Sequence, residues 1–207
     1  MARKDADTRK QEIVDAAIRL ADKVGPDRLT TEAVAQDVGI TQPAVFRHFP
    51  KKQSLWEAVA KHISGRMQKR WARVLGDRNP ADERLHALIA AQLTFIRGNP
   101  AIPAILFSRE LHSGNDALRN AFYTLMGKFH GVIAGLIRAG VEEGTFRQDL
   151  DTRDAAFLVL GLVQGLAVRW SFSGKSFDIV EEGRRLFELQ MSAFVDGGGN
   201  DRTGGPL

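Results

Sequence analysis

The sequence predicts an all-α protein of about nine helices, a compact three-helix unit at the N-terminus followed by a larger helical body. Three observations carry that expectation. Apolar residues recur three and four positions apart over most of the chain, no alternating stretch is long enough to make a strand, and Gly and Pro fall between the periodic runs as punctuation. With 43% hydrophobic and 26% charged residues in 207, the chain has the apolar inventory for a sizeable core and the composition of an ordinary folded domain.

The elements follow in order. A first helix runs from about Thr8 to Val24, with Ile13, Ala17, Ile18, Leu20 and Ala21 on one stripe, and Gly25-Pro26 ends it. Thr30 is placed to cap a short helix from Thr31 to Asp37. After Val38-Gly39-Ile40 a third helix, Thr41 to Phe49, stops at Pro50. The fourth, Lys52 to Leu75, is long and basic on one side through Lys61, Arg66, Lys69, Arg70 and Arg73. Beyond the turn at residues 76–80 the helices lengthen: Ala81 to Arg97, Pro100 to Leu111, Asp116 to Glu143, Thr152 to Phe172 and Phe177 to Val195. Asp151 and Asp154, just before an apolar run, read as a helix cap rather than as an acid pair. The Gly-rich tail is expected to be disordered. This divides the chain into residues 1–50, a connecting helix 51–76, a body 77–196 and a tail 197–207.

Several function classes are set aside on composition. Residues 1–10 are polar throughout, unlike a secretory leader, and the longest nearly apolar run, Ala155 to Val168, holds 14 residues, which is short for a bilayer and reads as a buried helix. A cytoplasmic protein without a membrane partner is expected. Zero cysteines remove disulfides, thiol nucleophiles and Cys-liganded zinc. The five histidines show no paired spacing, and no metalloprotease, nucleophile-elbow or phosphate-loop motif occurs, so no enzyme, metal or cofactor is expected. Charge is uneven: residues 1–75 carry fifteen Lys and Arg against nine Asp and Glu, the remainder fourteen against sixteen. A positive N-terminal third suits a phosphate-bearing partner.

The informative segment is Thr31 to Phe49, TEAVAQDVGITQPAVFRHF, because it joins two short helices by a Gly-containing turn and supplies the packing residues that such a pair requires. Val34, Val38 and Ile40 pack from the first helix and turn, and Ala35 is small where the helices cross. Gly39 sits where the turn favours positive φ, and Val45 and Phe49 face inward from the second helix. Thr41, Gln42, Ala44, Phe46, Arg47 and His48 are left for the outer faces, where a recognition helix meets the major groove. Gln42 suits adenine N6/N7 or guanine, Ala44 a thymine methyl, and Pro43 stiffens the first turn. Thr31, Thr41, His48 and Lys52 suit phosphate oxygens, and Thr30 orients a helix N-terminus.

Leu29 to Val59, LTTEAVAQDVGITQPAVFRHFPKKQSLWEAV, resembles the DNA-binding motif of the TetR family over its whole length. With Thr8 to Gly25 it is similar to that family's three-helix head and the start of its connecting helix, roughly the first 65 residues. The resemblance implies that Thr31, Thr41, Gln42, Ala44, Phe46, His48 and Lys52 lie at DNA-contacting positions. Three departures stand out. Phe46 replaces a common Tyr and so lacks a hydroxyl, while Lys51 and Gln53 stand where a small capping residue and a Glu often occur, predicting a weaker cap but a more positive start to the fourth helix.

In the body, the helix Thr152 to Phe172 is apolar on two sides and its neighbour is amphipathic, so together they are expected to form a four-helix interface with a second copy, through Phe157, Gly161, Gly165, Val168, Leu186, Phe187 and Phe194. Gly161 and Gly165 allow close helix approach. The resemblance further implies an effector cavity, for which Phe95, Leu106, Phe107, Phe122, Met126, Phe129 and Trp170 offer apolar walls and Arg109, His112, His130 and Gln164 polar anchors. The resulting expectation is a homodimeric, sequence-specific DNA-binding regulator: a repressor of a pseudo-palindromic operator of double-stranded DNA, released by a small lipophilic or aromatic effector. Its rival is a ligand-independent DNA-binding dimer that acts through a protein partner.

Overall fold

The computed structural model describes residues 5–76 and 78–195, and among these it contains ten α-helices and no strand. They are α1 Ala6–Val24, α2 Thr31–Val38, α3 Gln42–His48, α4 Lys52–Leu75, α5 Ala81–Arg97, α6 Ala101–Phe107, α7 Arg109–Ser113, α8 Asp116–Glu142, α9 Thr152–Phe172 and α10 Ile179–Met191. The expected tail at 197–207 lies outside the described residues.

The tenth helix arises because the expected helix Pro100 to Leu111 breaks at Ser108. That residue is extended (φ −69°, ψ 112°), its hydroxyl accepts from the Leu111 N–H at 3.0 Å to cap α7, and it donates to the Asp27 carboxylate at 2.6 Å. No Gly or Pro marks the break. The last helix is also shorter than expected, because Asp178 caps it by accepting from Val180 and Glu181 and its end gives way to a turn in which Phe194 C=O accepts from the Arg147 N–H. Asp151 caps α9 through the N–H groups of Arg153 and Asp154.

α1, α2 and α3 form the head. Its centre is Ile13, Val14, Ala17, Leu29, Val34, Ala35 and Val45, all at most 4% exposed. Gly39 adopts φ 72° at the end of α2, and Gly39 and Ile40 N–H groups return to the last turn, which folds the chain back into α3. Arg19 of α1 and Asp37 of α2 pair at 2.6 Å. The body is built around α8 and α9, with α5 and α10 packed on one side and α4 running from the head into the bundle. Trp71 of α4 stacks on Phe129 of α8 at 4.9 Å between ring centres and donates its indole N–H to the buried Gln92 of α5 at 3.0 Å. Close helix approach occurs at Gly183 of α10, where a Cβ would collide with Leu93. At Gly161 and Gly165, where the sequence suggests it, a Cβ would meet nothing within 4 Å in the same chain.

α9 is longer than the 14-residue run suggests: at 21 residues it is long and apolar enough to cross a membrane by length and composition. Its packing decides otherwise for one side, since Ala155, Ala156, Val159, Leu160, Val163, Leu166, Ala167 and Trp170 are buried against the other helices.

Among the described residues, polar links from the head and α4 to the body include Asp22 to Lys175, Asp27 to Ser108, Gln53 Nε2 to Gly114 C=O at 2.8 Å, and Arg66 to Asn99 at 3.0 Å.

Candidate nucleic-acid interface and effector cavity

A seven-residue helix such as α3 is not stable alone. It exists because Val45 and Phe49 are buried against α1 and α2, which leaves the opposite side free of packing duties. On that side Thr41, Gln42, Pro43, Phe46 and Arg47 are exposed, and Ala44 and His48 are half-buried. Phe46 keeps 39% of its surface exposed, a large apolar ring standing out from the head. Thr30 is exposed and its hydroxyl accepts from the Ala33 N–H at 3.1 Å, so its side chain is engaged in the cap of α2.

Thr31 is placed differently from the expectation. At 9% exposure it is buried, and its hydroxyl accepts from Gln42 Nε2 at 2.9 Å. The bond fixes the Gln42 amide by one of its N–H groups, so Thr31 orients the Gln42 side chain from beneath it. The start of α4 also differs. Ser54 closes it, its hydroxyl donating to Lys51 C=O at 2.7 Å and lying 3.3 Å from the Lys51 N–H. The cap therefore comes from inside the helix, and the Lys51 side chain stays exposed beside half-buried Lys52. A serine three residues after Lys51 is the sequence signal for this cap.

Under the head, α4, α5, α6, α8 and α9 surround a cavity of about 30 Å³. Of the residues expected there, Leu106, Phe107, Phe122, Met126, Phe129 and Gln164 line it, and so does Ile102. The other five are elsewhere. Phe95 lies beneath the guanidinium groups of Arg66 and Arg70, 5.3 and 5.1 Å from its ring centre. Arg109 is exposed on α7. His130 lies against Phe157, 4.1 Å between ring centres, with Nε2 3.2 Å from the Arg153 carbonyl. Trp170 spends its indole N–H on Phe177 C=O. His112 is likewise turned to the Leu106 carbonyl. The lining that periodicity did not reveal comes from Ile63 and Met67 of α4, Gln92 and Ile96 of α5, and Leu160 and Val163 of α9. Polar atoms are few: Gln92 holds the Trp71 indole, and Gln164 Nε2 points at Met126 Sδ, 3.3 Å away.

The outer side of α9 presents Phe157 at 50%, Leu158 at 61% and Phe172 at 87% exposure, with Gly161 and Gly165 exposed between them and Val168 half-buried. On α10, Leu189 is 69% exposed and Leu186 half-buried. Two residues expected on this face are inside the chain instead. Phe187 is 1% exposed with His86 edge-on at 5.0 Å, and Phe194 is 2% exposed against Phe146. The helical stripe placed both with Leu186, but α5 and the turn after α8 claim them first.

Residues 13–59 match the family model of bacterial regulatory proteins, tetR family, and residues 61–193 that of the YsiA-like protein C-terminal region. The fatty acid metabolism regulator protein of Bacillus subtilis is 21% identical over 87% of this chain and 93% of its own length. The nucleoid occlusion factor SlmA of Vibrio campbellii is 28% identical over 80% of this chain and 85% of its own. Among solved structures, a TetR transcription regulator from Haloarcula marismortui superposes with a TM-score of 0.80 at 22% identity, covering 91% of this chain and 98% of that one. The transcriptional regulator FadR from Bacillus subtilis, in complex with stearoyl-CoA, gives 0.77 at 19% identity, over 89% and 98%. At these identities the structural likeness speaks for the fold, and the two matched regions, which run from the helix-turn-helix to the last helix, speak for more: the chain belongs to the TetR family of DNA-binding transcriptional regulators.

Proposed function

We propose that the protein is a cytoplasmic homodimeric repressor of a pseudo-palindromic operator, released when a long apolar effector, an acyl chain, enters the cavity of the body. The observation that carries this reading is the position of Ile63 and Met67: they line the cavity and belong to α4, the helix that begins at Lys52 beside α3. Small-molecule sites usually hold about 300–1,000 Å³, ten times or more what is open here, so a ligand must push the walls apart. Moving α4 carries the head with it and changes the spacing of the two recognition helices of a dimer. Repression is then lost to the extent that the effector binds the displaced state more tightly.

In this reading residues 1–50 bind DNA, 51–76 transmit, and 77–196 dimerise and hold the effector. Gln42, Ala44 and Arg47 face bases. Thr41, His48, Lys52 and exposed Lys51 face phosphates, Pro43 and Thr30 set the helix starts, and Phe46 packs on the sugar-phosphate backbone. The outer face of α9 with Leu186 and Leu189 of α10 meets a second copy; regulators of this family act as dimers. The acyl class is supported by an almost wholly apolar lining, by the relative named for fatty acid metabolism, and by the neighbour solved with stearoyl-CoA.

The test is fluorescence anisotropy on a duplex selected from randomised DNA, with stearoyl-CoA titrated in. Release of the selected duplex at effector concentrations that leave random DNA unaffected is expected. A second reading, a DNA-bound dimer that acts through a protein partner, draws on the SlmA relatives and on a cavity that is nearly filled. Specific binding with no response to any acyl ligand would favour it.

A further inference from the structure

We infer that the effector reaches the cavity through a mouth between the end of α6 and the outer face of α9, and that a second copy of the chain forms the outer wall of that mouth. This rests on the effector reading above. Phe107 and Gln164 line the cavity, and the same two residues line an open groove of about 770 Å³ on the outside of α9. Neither the cleft between α1 and the α5–α6 junction nor the groove between α5 and α10 shares a lining residue with the cavity.

The two shared residues are built to move. Phe107 is the last residue of a seven-residue helix, immediately before the extended Ser108, and it is 43% exposed. Its ring can swing without disturbing a helical hydrogen-bond ladder. Gln164 is half-buried and its amide rests on a thioether, a weak acceptor, so turning it toward an oxygen of an entering molecule costs little. Gly161 and Gly165, one turn apart, make the floor of the groove, where even a Cβ would touch nothing. Phe172 walls it, and Arg169 and Ser173 supply its polar end. An amphiphile fits this division: an apolar tail inside, past Phe107, and a polar end left in the groove.

Phe172 lines the groove and belongs, with Leu158 of the same helix, to the exposed apolar face proposed above to meet the second copy. The occupant's outer part therefore lies between protomers, and the site is incomplete in a single chain. Effector binding and dimerisation are then linked, each strengthening the other.

The probe is cis-parinaric acid, a fluorescent fatty acid, followed by stopped flow on the full chain. Phe107→Ala is expected to raise both its association and its dissociation rate about tenfold, and Phe107→Trp to slow both, a lowering or raising of one barrier. Leu158→Arg/Leu189→Arg, which lies outside the cavity lining, is expected to sediment as a monomer and to release the probe at least about tenfold faster. Wild-type kinetics in both Phe107 variants would overturn the mouth. A variant that stays dimeric, or a monomer with wild-type kinetics, would overturn the second-copy wall. A wild-type protein that binds no parinaric acid would instead overturn the acyl reading itself, and the mouth with it.

Discussion

The head and the α9–α10 face treat their apolar residues in opposite ways. In the head, helices of eight and seven residues place Val34, Ala35, Val45 and Phe49 inside a finished core, and the outer side carries Thr41, Gln42, Arg47 and one protruding ring, Phe46. The α9–α10 face leaves Phe157, Leu158, Phe172 and Leu189 in the open over a body whose own core is complete. Exposed polar groups on a closed core are suited to a polar polymer that comes and goes. Exposed apolar groups on so large a face are suited to a permanent neighbour of the same kind. In the proposed function, that contrast separates a reading surface from an assembling one.

That contrast can be broken most directly at the phenylalanines. Phe187→Ala is expected to cost about 3–5 kcal/mol in urea unfolding, because it empties a buried site against His86. Phe172→Ala should leave monomer stability within about 0.5 kcal/mol while weakening the dimer measured by sedimentation. Equal losses of unfolding stability from the two would erase the difference between core and face.

Next in size is Gln42→Ala, expected to lose about 1–3 kcal/mol on the selected operator and nothing on random duplex. Thr31→Val, which frees the Gln42 amide, should lose part of the same discrimination. If both variants bind both duplexes like the wild type, the reading face lies elsewhere. Ser108→Ala removes the α7 cap and the bond to Asp27, and a loss of about 0.5–2 kcal/mol in unfolding is expected. Lys52→Ala should weaken all DNA alike and lower the salt slope by about 1.

The smallest effect concerns the α1–α4 joint. Burial pushes the His62 imidazole below its ordinary pKa, opposed by nearby Asp15 and assisted by Arg66, and Gln11 Nε2 lies 3.0 Å from its Nδ1. The unfolded chain then binds the proton more readily than the folded one. Its contribution is fully present above the ordinary histidine value and is lost as pH falls from there through the lowered folded value. Urea midpoints of the wild type should decline from pH 7 to pH 5.5 more steeply than those of His62→Gln.

Much of the fold was legible because it is written locally. Gly25-Pro26, Gly39 and Pro50 end helices by their own backbone chemistry, and the turn at Gly39 has the positive φ that its position predicts. The break at Ser108 was not legible, since the carboxylate that receives its hydroxyl is Asp27, 81 residues earlier. The cavity was half legible: aromatic and aliphatic side chains announce a core, but whether Phe95 meets the cavity or two arginines depends on the rotation of α5 against α4. The same holds for Thr31 and Gln42, whose bond joins two helices that the sequence could only place side by side.

By itself, then, the sequence determined the helical architecture, the helix-turn-helix and its polar outer residues, because spacing and turn chemistry act over a few neighbours. Tertiary structure alone decided which faces were closed. Phe187 and Phe194 went inward, Phe172 and Leu158 stayed outside, and Ile63 and Met67 linked the cavity to the DNA-bearing end. A side chain's burial is settled by whichever distant element reaches it first, and helical periodicity names the stripe without naming its partner.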